Sequence, residues 1–317
     1  YLIPDDGGEN VFIPERKTNH ALLNDKVKVF LYAGRKGQMP EGEVVEIIKR
    51  AKDTFVGILE VSDNFAFLIS DNRVMTNDIF IPKSKLNGGK NGQKAVVKLI
   101  EWAPNLKNPV GEVIDVLGDK GNNTTEMHAI LAEYGLPYKY PVDVEVAADH
   151  IDAGITPEEV AKRIDLRGVT TFTIDPRDAK DFDDALSLRK LENGLWEVGV
   201  HIADVTHYVR PGSIIDREAQ ERATSVYLVD RTIPMLPEHL SNGICSLRPN
   251  EEKLTYSVLF QMTDEAEVKH YEIAKTVTCS DRRFTYEEAQ IVIETGEGDF
   301  KKEILTLDRM AAYFCVL

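Results

Sequence analysis

The first third of the chain alternates apolar and polar residues in short runs that are separated by Gly, Asn and Asp. This period-two alternation predicts small antiparallel β-barrels. An internal repeat supports the prediction, because residues 10–14 (NVFIP) return 68 positions later as residues 78–82 (DIFIP). At the same offset of 68, residues 25–29 (DKVKV) correspond to residues 93–97 (QKAVV). The repeat therefore predicts two tandem small β-barrels, over residues 1–50 and 51–105.

The two copies of the repeat differ at their start. The second copy has an opening strand, predicted over residues 54–61, which the first copy lacks. The first copy starts instead at residues 1–3 (YLI), which match residues 67–69 (FLI) at an offset of 66. We therefore expect the chain to begin inside a truncated barrel.

Three aromatic residues alternate with apolar ones in the second barrel: Phe65, Phe67 and Phe80. Their segments, NFAFLI and DIFI, resemble the two RNA-binding strands of cold-shock OB-folds. Unstacked bases could lie on these rings, and such stacking is worth ~1–3 kcal/mol per base. The alternative is that one or more of the rings fills the barrel core.

Residues 106–164 are predicted to form a connecting segment with helices. One strand is predicted over residues 111–117, and one helix over residues 126–134, before a Gly-Leu-Pro break. Thr156 is predicted to cap another helix, since Pro157 follows it and a Glu stands three positions on.

From residue 165 onward the chain becomes richer in β-branched and aromatic residues. Apolar runs over residues 185–191 and 195–202 flank the dipeptide Asn193-Gly194, which predicts a β-hairpin. The segment over residues 170–175 also alternates and is predicted to be extended.

Four aspartates stand within ten residues at the loop that enters this hairpin: Asp175, Asp181, Asp183 and Asp184. Asp178 is a fifth carboxylate between them. If the segment is extended, Asp181 and Asp183 share a face, whereas Asp184 points away unless the chain kinks. Apolar neighbours surround the cluster, unlike a solvated acidic run.

Clustered carboxylates need either a cation or raised pKa values, because two unit charges about 4 Å apart repel by roughly 4 kcal/mol at an effective dielectric near 20. Oxygen ligands of this kind suit Mg²⁺ or Mn²⁺. A helix-loop-helix calcium site is excluded, because Lys180 and Leu186 stand where that loop needs Gly and Glu. A catalytic metal site is favoured, with a structural cation and a solvated or capped loop as alternatives.

Two histidines and an aspartate follow the hairpin: His201, Asp204 and His207. They could be further metal ligands, but hydrogen bonds that cap or fix the loop are the favoured interpretation.

Composition and charge add limits to these predictions. The 317 residues carry a net charge of −15. Residues 1–110 carry 16 Lys and Arg against 14 Asp and Glu, whereas residues 111–317 carry 22 against 39, so the slightly basic part is N-terminal. Three cysteines without a Cys-x-x-Cys pair predict free thiols and a cytoplasmic protein. No dinucleotide fingerprint or membrane-length apolar run occurs, so neither a dinucleotide cofactor nor a membrane is expected.

Four segments in the second half resemble the signature of the ribonuclease II/ribonuclease R superfamily, and they occur in its order. They are TIDPRDAKDFDDA from residue 173, VHIADVTHYV from residue 200, SVYLVDRTIPMLPEHLS from residue 225, and CSLRP from residue 245. The resemblance is greater to the bacterial ribonuclease R branch. It implies a multidomain fold, with two all-β cold-shock-like OB-fold barrels followed by the first half of an α+β RNB catalytic domain over residues 165–317.

The resemblance also implies a function, namely processive 3′-to-5′ hydrolysis of single-stranded RNA to nucleoside 5′-monophosphates. It implies that the four aspartates hold one or two Mg²⁺ ions, with Mn²⁺ as an alternative, and that Asp183 is the least replaceable catalytic residue. Tyr227 matches the family's aromatic that clamps the last nucleotide; the alternative is an ordinary core tyrosine.

The family's catalytic domain continues beyond residue 317, so we expect a monomeric fragment, truncated at both ends, with an incomplete active site. The initial Tyr in place of Met agrees with this expectation. The alternative function is a single-stranded RNA-binding OB-fold protein whose acidic cluster is a structural cation site.

Overall fold

The computed structural model describes residues 1–33, 39–72, 75–229 and 231–314. Its contacts divide the chain into two units, Tyr1–Tyr138 and Lys139–Leu317. No helix of the described ranges is both long and apolar enough to cross a membrane. Cys315 lies outside the described residues, and the described cysteines, Cys245 and Cys279, are free.

The region predicted as the first barrel begins the N-terminal unit, and its described strands form a two-stranded sheet that does not close. Strands β1 (Lys26–Leu31) and β2 (Gly42–Lys49) pair antiparallel. Isolated bridges join Leu2 to Val11 and Phe12 to Glu41. Over residues 1–50, the buried hydrophobic residues among those described are Val11 and Val44, so this barrel has a small core.

The second barrel is closed by five strands in the order β3-β4-β5-β7-β6. These are β3 (Thr54–Val61), β4 (Phe65–Ser70), β5 (Ile79–Pro82), β6 (Gln93–Glu101) and β7 (Val110–Asp119). The period-two pattern places the alternate residues Ala66, Leu68, Ile79 and Ile81 inside, where each is 0% exposed. Gly57 allows a close strand approach, because a Cβ there would lie 2.1 Å from the Ile69 carbonyl oxygen.

The closing strand β7 and the helix after it lie beyond the barrel boundary expected at residue 105. Prolines 104 and 109 separate β6 from β7, which is why the sequence pattern assigned β7 to a linker. Helix α1 (Asn123–Glu133) is capped by the Asn122 side chain and starts three residues earlier than predicted. Lys94 of β6 bridges Asp71 and Glu126 at 2.8 and 2.6 Å, which ties α1 to the barrel.

The second unit is built on one seven-stranded sheet with the order β16-β9-β10-β11-β14-β15-β8. In chain order, the helices and strands of this unit up to the predicted hairpin are α2 (Val142–Asp149), α3 (Pro157–Val160), β8 (Ile164–Asp165), β9 (Thr171–Asp175), β10 (Asp184–Lys190) and β11 (Trp196–Ala203). Those that follow are α4 (Val205–Tyr208), α5 (Ile214–Arg222), β12 (Val226–Tyr227), β13 (Thr232–Ile233), β14 (Glu252–Met262), β15 (Val268–Cys279), β16 (Arg282–Thr285), α6 (Tyr286–Thr295) and α7 (Lys301–Phe314).

The predicted hairpin is confirmed as β10 and β11, which pair from Asp184–Ile202 to Lys190–Trp196 around a turn with Gly194 at φ +84°. Thr156 caps α3 as predicted, although α3 is one turn long. Helix α2 was not predicted.

Helices cover both faces of the sheet near the hairpin. Leu186 packs with residues of α6 and α7, whereas its neighbour Ala185 points the other way, into a core shared with α2, α5 and the π-helical segment His239–Ile244. The predicted OB-fold and α+β architecture is confirmed.

Candidate functional site

The four aspartates lie at one end of the β9–β10 strand pair. Asp175 is the last residue of β9, and Asp184 is the first of β10. Asp181 and Asp183 lie in the connecting loop, residues 176–183, which we call the aspartate loop. The predicted alternation of faces therefore does not apply to these two, since that part of the chain is not a strand.

Phe182, which stands between Asp181 and Asp183 in the sequence, holds the aspartate loop in place. The ring is 9% exposed and packs in the core below the sheet. The Phe182 amide donates to Ser246 Oγ at 3.0 Å, and the Ser246 hydroxyl donates to the Lys180 carbonyl at 2.8 Å. The Leu247 amide donates to the Phe182 carbonyl at 2.8 Å. Two hydrogen bonds to the buried Phe182 and one to Lys180 thus fix the backbone on which Asp181 and Asp183 stand.

Arg283 holds the other end of the loop from the neighbouring strand β16, which runs parallel to β9. Its Nη2 donates to the carbonyls of Pro176 at 2.5 Å and Arg177 at 2.8 Å. Its guanidinium carbon lies 5.4 Å from the centre of the Phe182 ring. Sequence reasoning missed this residue, because nothing local in the sequence pairs it with a loop about 100 positions earlier.

The electrostatics of Asp175 and Asp183 indicate crowded carboxylates. Burial raises the pKa of Asp175 above its usual value, and nearby Asp184 and Asp181 add to the rise, while the Thr173 hydroxyl and Arg283 oppose it. The Asp175 Oδ2 atom is buried and has no hydrogen-bond partner among the described residues. Asp183 is open to solvent at the surface, yet partial desolvation raises its pKa, and Asp181, Asp184 and Asp175 raise it further.

These groups fit a hard divalent cation in their chemistry. All are oxygen donors and one is a buried oxygen without a partner; burial first, and the neighbouring aspartates second, raise the pKa values of Asp175 and Asp183. Within the described ranges, no three His, Cys, Asp or Glu side chains are arranged to hold a metal ion by themselves. Mg²⁺ commonly binds through one or two carboxylates, waters and substrate phosphates, so the arrangement remains compatible with it.

Tyr227 lies beside the cluster. The side chain is 69% exposed, so the core alternative does not hold. Partial burial raises the pKa of the phenol, and the charges of Asp181 and Asp183 contribute to the rise, which indicates proximity to both. Asp181 and Tyr227 also line one cavity of about 490 Å³, together with Lys180, Arg231, Glu238 and Asn242.

The three phenylalanines of the second barrel form one cluster on its outer face. The ring centroids of Phe65, Phe67 and Phe80 lie 5.6 to 5.8 Å apart. Phe65 is 37% exposed, and the other two rings are half-buried. The residues between them fill the interior, so the rings are not part of the barrel core.

His201, Asp204 and His207 make structural hydrogen bonds and ion pairs; those of Asp204 and His207 fix a loop as expected, whereas His201 lies within β11 and joins strands instead. His201 is 0% exposed, with Nδ1 2.7 Å from Ser257 Oγ and Nε2 2.8 Å from Ser187 Oγ. Asp204 accepts from buried Arg163 at 2.7 Å and from Thr206 at 2.7 Å. His207 Nδ1 lies 3.6 Å from a Glu159 oxygen.

Three family models match the chain in sequence order. They are the Ribonuclease B OB domain over residues 1–47, the Cold shock domain over residues 67–141, and the RNB domain over residues 163–314. The RNB match begins before the aspartate cluster and includes Tyr227.

Several curated proteins are similar over most of the chain. Ribonuclease R of Thermotoga maritima is 36% identical over 93% of this chain and 41% of its own length. Ribonuclease R of Escherichia coli is 34% identical over 95% of this chain and 38% of its own length. Exosome complex exonuclease RRP44 of Mus musculus is 35% identical over 98% of this chain and 32% of its own length. The chain thus spans less than half the length of these relatives.

A solved structure has the same fold. Mycoplasma genitalium RNase R in complex with ribose methylated single-stranded RNA matches with a TM-score of 0.80 at 25% identity, over 97% of this chain and 48% of that one. Yeast Ssd1, a pseudonuclease, matches with a TM-score of 0.63 at 19% identity, over 96% of this chain and 44% of that one, which supports the fold alone. By the order of its three domains and its similarity to ribonuclease R sequences, the chain belongs to the ribonuclease II/ribonuclease R superfamily.

Proposed function

We propose that the chain supplies the RNA-binding barrels and the metal-binding aspartates of a 3′-to-5′ hydrolytic exoribonuclease. Its substrate is single-stranded RNA, and its products are nucleoside 5′-monophosphates. The observation that carries the proposal is the grouping of four aspartates at the β9–β10 connection, where Asp181 and the exposed Tyr227 line one cavity. Similarity to ribonuclease R sequences along the whole chain supports it.

Asp175, Asp181, Asp183 and Asp184 hold Mg²⁺, or Mn²⁺ in its place. Exonucleases with an RNB domain are generally dependent on divalent metal ions. The bound cation would supply an activated water and stabilise the leaving 3′-oxygen. Asp183 is the residue we assign to catalysis, because its carboxylate is open to solvent and lies near those of Asp181, Asp184 and Asp175.

Tyr227 and the barrel phenylalanines bind the RNA itself. Tyr227 stacks on the last nucleotide at the cavity, next to Asp181. Phe65, Phe67 and Phe80 stack on bases further along the strand, each worth ~1–3 kcal/mol. We propose further that the protein acts as a monomer in the cytoplasm, where its described cysteines stay reduced.

The test is degradation of a 5′-labelled single-stranded RNA, with Mg²⁺ and with EDTA, by the chain and by its Asp183→Asn variant. An active chain gives products shortened from the 3′ end with Mg²⁺ and none with EDTA, whereas a chain with an incomplete active site gives none in either case. Asp183→Asn should reduce cleavage by at least about 100-fold, because it removes a charged ligand, and should leave RNA affinity within about twofold. Hydrolysis that is unchanged in Asp183→Asn would refute the metal role.

The chain spans less than half of its relatives, so the same test is run in a chimera. The matching region of Thermotoga maritima ribonuclease R is replaced by this chain, with and without Asp183→Asn. A folded chimera that binds RNA and yet shows no Mg²⁺-dependent cleavage would favour an RNA-binding protein with a structural cation site.

The chimera also tests Tyr227. We expect Tyr227→Ala to change the length of the shortest product without abolishing cleavage, because the clamp on the last nucleotide is lost. Tyr227→Phe keeps the ring and serves as the matched control. An unchanged shortest product in Tyr227→Ala would remove the clamp from the proposal.

A further inference from the structure

The hairpin of β12 and β13, which carries Tyr227, is too short to hold its own position. Each strand has two residues, with Val226 paired to Ile233 and Tyr227 paired to Thr232. An isolated hairpin has little stability in water. Tyr227 is 69% exposed, so its ring adds little packing. The orientation of this ring is therefore decided by the residues that hold the two ends of the hairpin.

We propose that Tyr140 and Arg222 are positioning residues for Tyr227. Each of them holds one end of the hairpin, and the two side chains contact each other. Together they keep the Tyr227 ring at the cavity that it shares with Asp181. The inference rests on the function proposed above, in which Tyr227 stacks on the last nucleotide.

Tyr140 holds the end at which the chain leaves the hairpin. Its hydroxyl donates to the carbonyl of Pro234, the residue that directly follows β13. Pro234 is buried and lines the cavity together with Tyr227. One residue on, the Met235 amide donates to Ser225 Oγ at 3.0 Å, which ties the two ends of the hairpin to each other.

Arg222, the last residue of α5, holds the end at which the chain enters the hairpin. Its side chain is 1% exposed, and its Nε donates to Glu218 Oε1 at 2.9 Å, which gives the buried charge a partner. Its Nη2 donates to the Lys139 carbonyl at 2.7 Å. Ala223 then ends the helix in a left-handed conformation, with φ 63°. The chain therefore leaves α5 from a fixed residue, a few positions before Tyr227.

A stacking contact joins the two supports. The guanidinium carbon of Arg222 lies 3.6 Å from the centre of the Tyr140 ring. An aromatic face attracts a cation, and more strongly where water is excluded. Nη1 of Arg222 is buried and has no hydrogen-bond partner in the described part of the chain, so the ring face helps to stabilise this charge. A change at either residue should therefore loosen the other.

The surroundings of Tyr140 keep its hydroxyl protonated. Burial raises the pKa of the phenol to about 12 against the opposing charge of Arg222, and the charges of Glu218 and Glu238 add to the rise. The Tyr140 hydroxyl is therefore a donor to Pro234 at neutral pH. Glu238 also lines the cavity, which indicates that Tyr140 lies close to the cavity wall.

A fluorine label detects the state of the Tyr227 ring in the 317-residue chain. The chain is produced with 3-fluorotyrosine, and the signal that is lost in Tyr227→Phe belongs to Tyr227. Tyr140→Phe keeps the ring under Arg222 and removes the hydroxyl. We expect the Tyr227 signal to shift and narrow in Tyr140→Phe, because the ring moves more freely once Pro234 is released. Tyr208→Phe is the matched control, since Tyr208 packs in the same core and its hydroxyl makes no hydrogen bond to the described residues of the hairpin.

The chimera with Thermotoga maritima ribonuclease R measures the effect on the substrate. With a short oligouridine, Tyr140→Phe should raise KM by about two- to fivefold and leave kcat unchanged. Losing one hydrogen bond, ~1 kcal/mol, lowers the ratio of held to displaced hairpin by about fivefold, and KM rises as the held fraction falls. The shortest product should change in the same direction as in Tyr227→Ala. Arg222→Met should act likewise, with Arg217→Met, at an exposed position of the same helix, as its control.

The variants separate the possible outcomes. A changed Tyr227 signal and a higher KM in Tyr140→Phe, with neither change in Tyr208→Phe, support the inference. Unchanged KM and shortest product in Tyr140→Phe overturn it, even where Arg222→Met does not fold. Equal effects of Tyr140→Phe and Tyr208→Phe would indicate a general loss of stability and overturn it as well.

Failure of the proposed function gives a different result. If Tyr227→Ala changes the shortest product and Tyr140→Phe does not, the inference fails and the clamp remains. If Tyr227→Ala leaves the shortest product unchanged, the clamp and the inference fail together.

Discussion

Arg283 contributes to the site without lining the cavity that Asp181 shares with Tyr227. Its two hydrogen bonds fix the carbonyls of Pro176 and Arg177, which directly follow Asp175. Its charge also lowers the pKa of Asp175, against the effect of burial. A single side chain therefore restrains the aspartate loop and favours the charged form of one carboxylate. We regard Arg283 as a positioning residue for the cation ligands.

Arg283→Met should weaken Mn²⁺ binding to the chain by about tenfold, because residues that orient ligands typically contribute about 10- to 100-fold to metal affinity. Electron paramagnetic resonance of free Mn²⁺ measures the change, and Arg283→Lys should recover part of it. Arg282→Met is the matched control, because Arg282 pairs with Glu288 and Asp299 instead. Equal Mn²⁺ affinity in Arg283→Met and the wild type would contradict the role.

For single residues, the sequence identifies the proposed cation ligands better than it identifies the residues that hold those ligands in position. The four aspartates and Phe182 are neighbours in sequence, so their spacing indicates a site. Arg283 and Ser246 approach the loop only through tertiary structure, the parallel β9–β16 pairing in one case and a buried turn in the other. No local pattern indicates such contacts.

The central strands are joined by a buried chain of polar side chains. Ser187 of β10 contacts His201 of β11, which contacts Ser257 of β14, which lies 2.5 Å from Thr276 of β15. Gly199 leaves room for the His201 ring, because a Cβ at position 199 would lie 2.6 Å from His201 Nε2. Each hydroxyl can donate or accept, so the chain can satisfy a neutral imidazole without any charged partner.

Burial lowers the pKa of His201 from 6.5 to about 4. The unfolded chain therefore takes up a proton on this residue near pH 6.5, whereas the folded chain takes it up only near pH 4. The folded state should lose stability as the pH falls through this window, by about 3 kcal/mol in total.

Urea unfolding at pH 7, 6 and 5 measures this decrease in the free energy of unfolding. His201→Gln should show a smaller decrease in unfolding free energy over this range, although it is less stable at pH 7. His150→Gln, at an exposed position, is the control. An identical pH dependence in His201→Gln and the wild type would contradict the assignment.

Elements with strong local signals were predicted, and those decided by tertiary contacts were not. The β10–β11 hairpin follows from two apolar runs around Asn-Gly. The pattern did not assign β7 to the barrel, because only pairing with β5 and β6 gives it that role. Helix α2 was missed because Pro141 and a run of Val and Asp give little helical preference, while packing of Val144 and Ala148 stabilises it.

The whole molecule separates the aromatic rings of the barrels from the aspartate cluster and Tyr227. The phenylalanine cluster lies in the unit Tyr1–Tyr138, and the aspartates lie in the unit Lys139–Leu317. Each unit has its own hydrophobic cores. The repeat and the charge asymmetry predicted distinct N-terminal and C-terminal parts, but the sequence treated residues 106–164 as one connecting segment, whereas the structure divides them at residue 138.

Residues 1–138 produced alone should therefore bind oligouridine with a Kd within about threefold of that of the whole chain, and residues 139–317 alone should bind Mn²⁺. Anisotropy and electron paramagnetic resonance measure the two, after circular dichroism has established that each piece folds. Loss of RNA binding in folded residues 1–138 would show that the second unit provides the main RNA contacts.

The difference between the two barrel cores has a consequence for hydrogen exchange. Amides in β3 to β6 are tied to a core of eleven buried residues, so their exchange requires opening of the whole barrel. Amides in β1 and β2 lie over a core in which Val11 and Val44 are the buried hydrophobic residues described. Local fluctuations should expose them to solvent far more often. A ligand seated on this barrel would then be detected as slowed deuterium uptake in β1 and β2, even where no bond between it and those strands is formed.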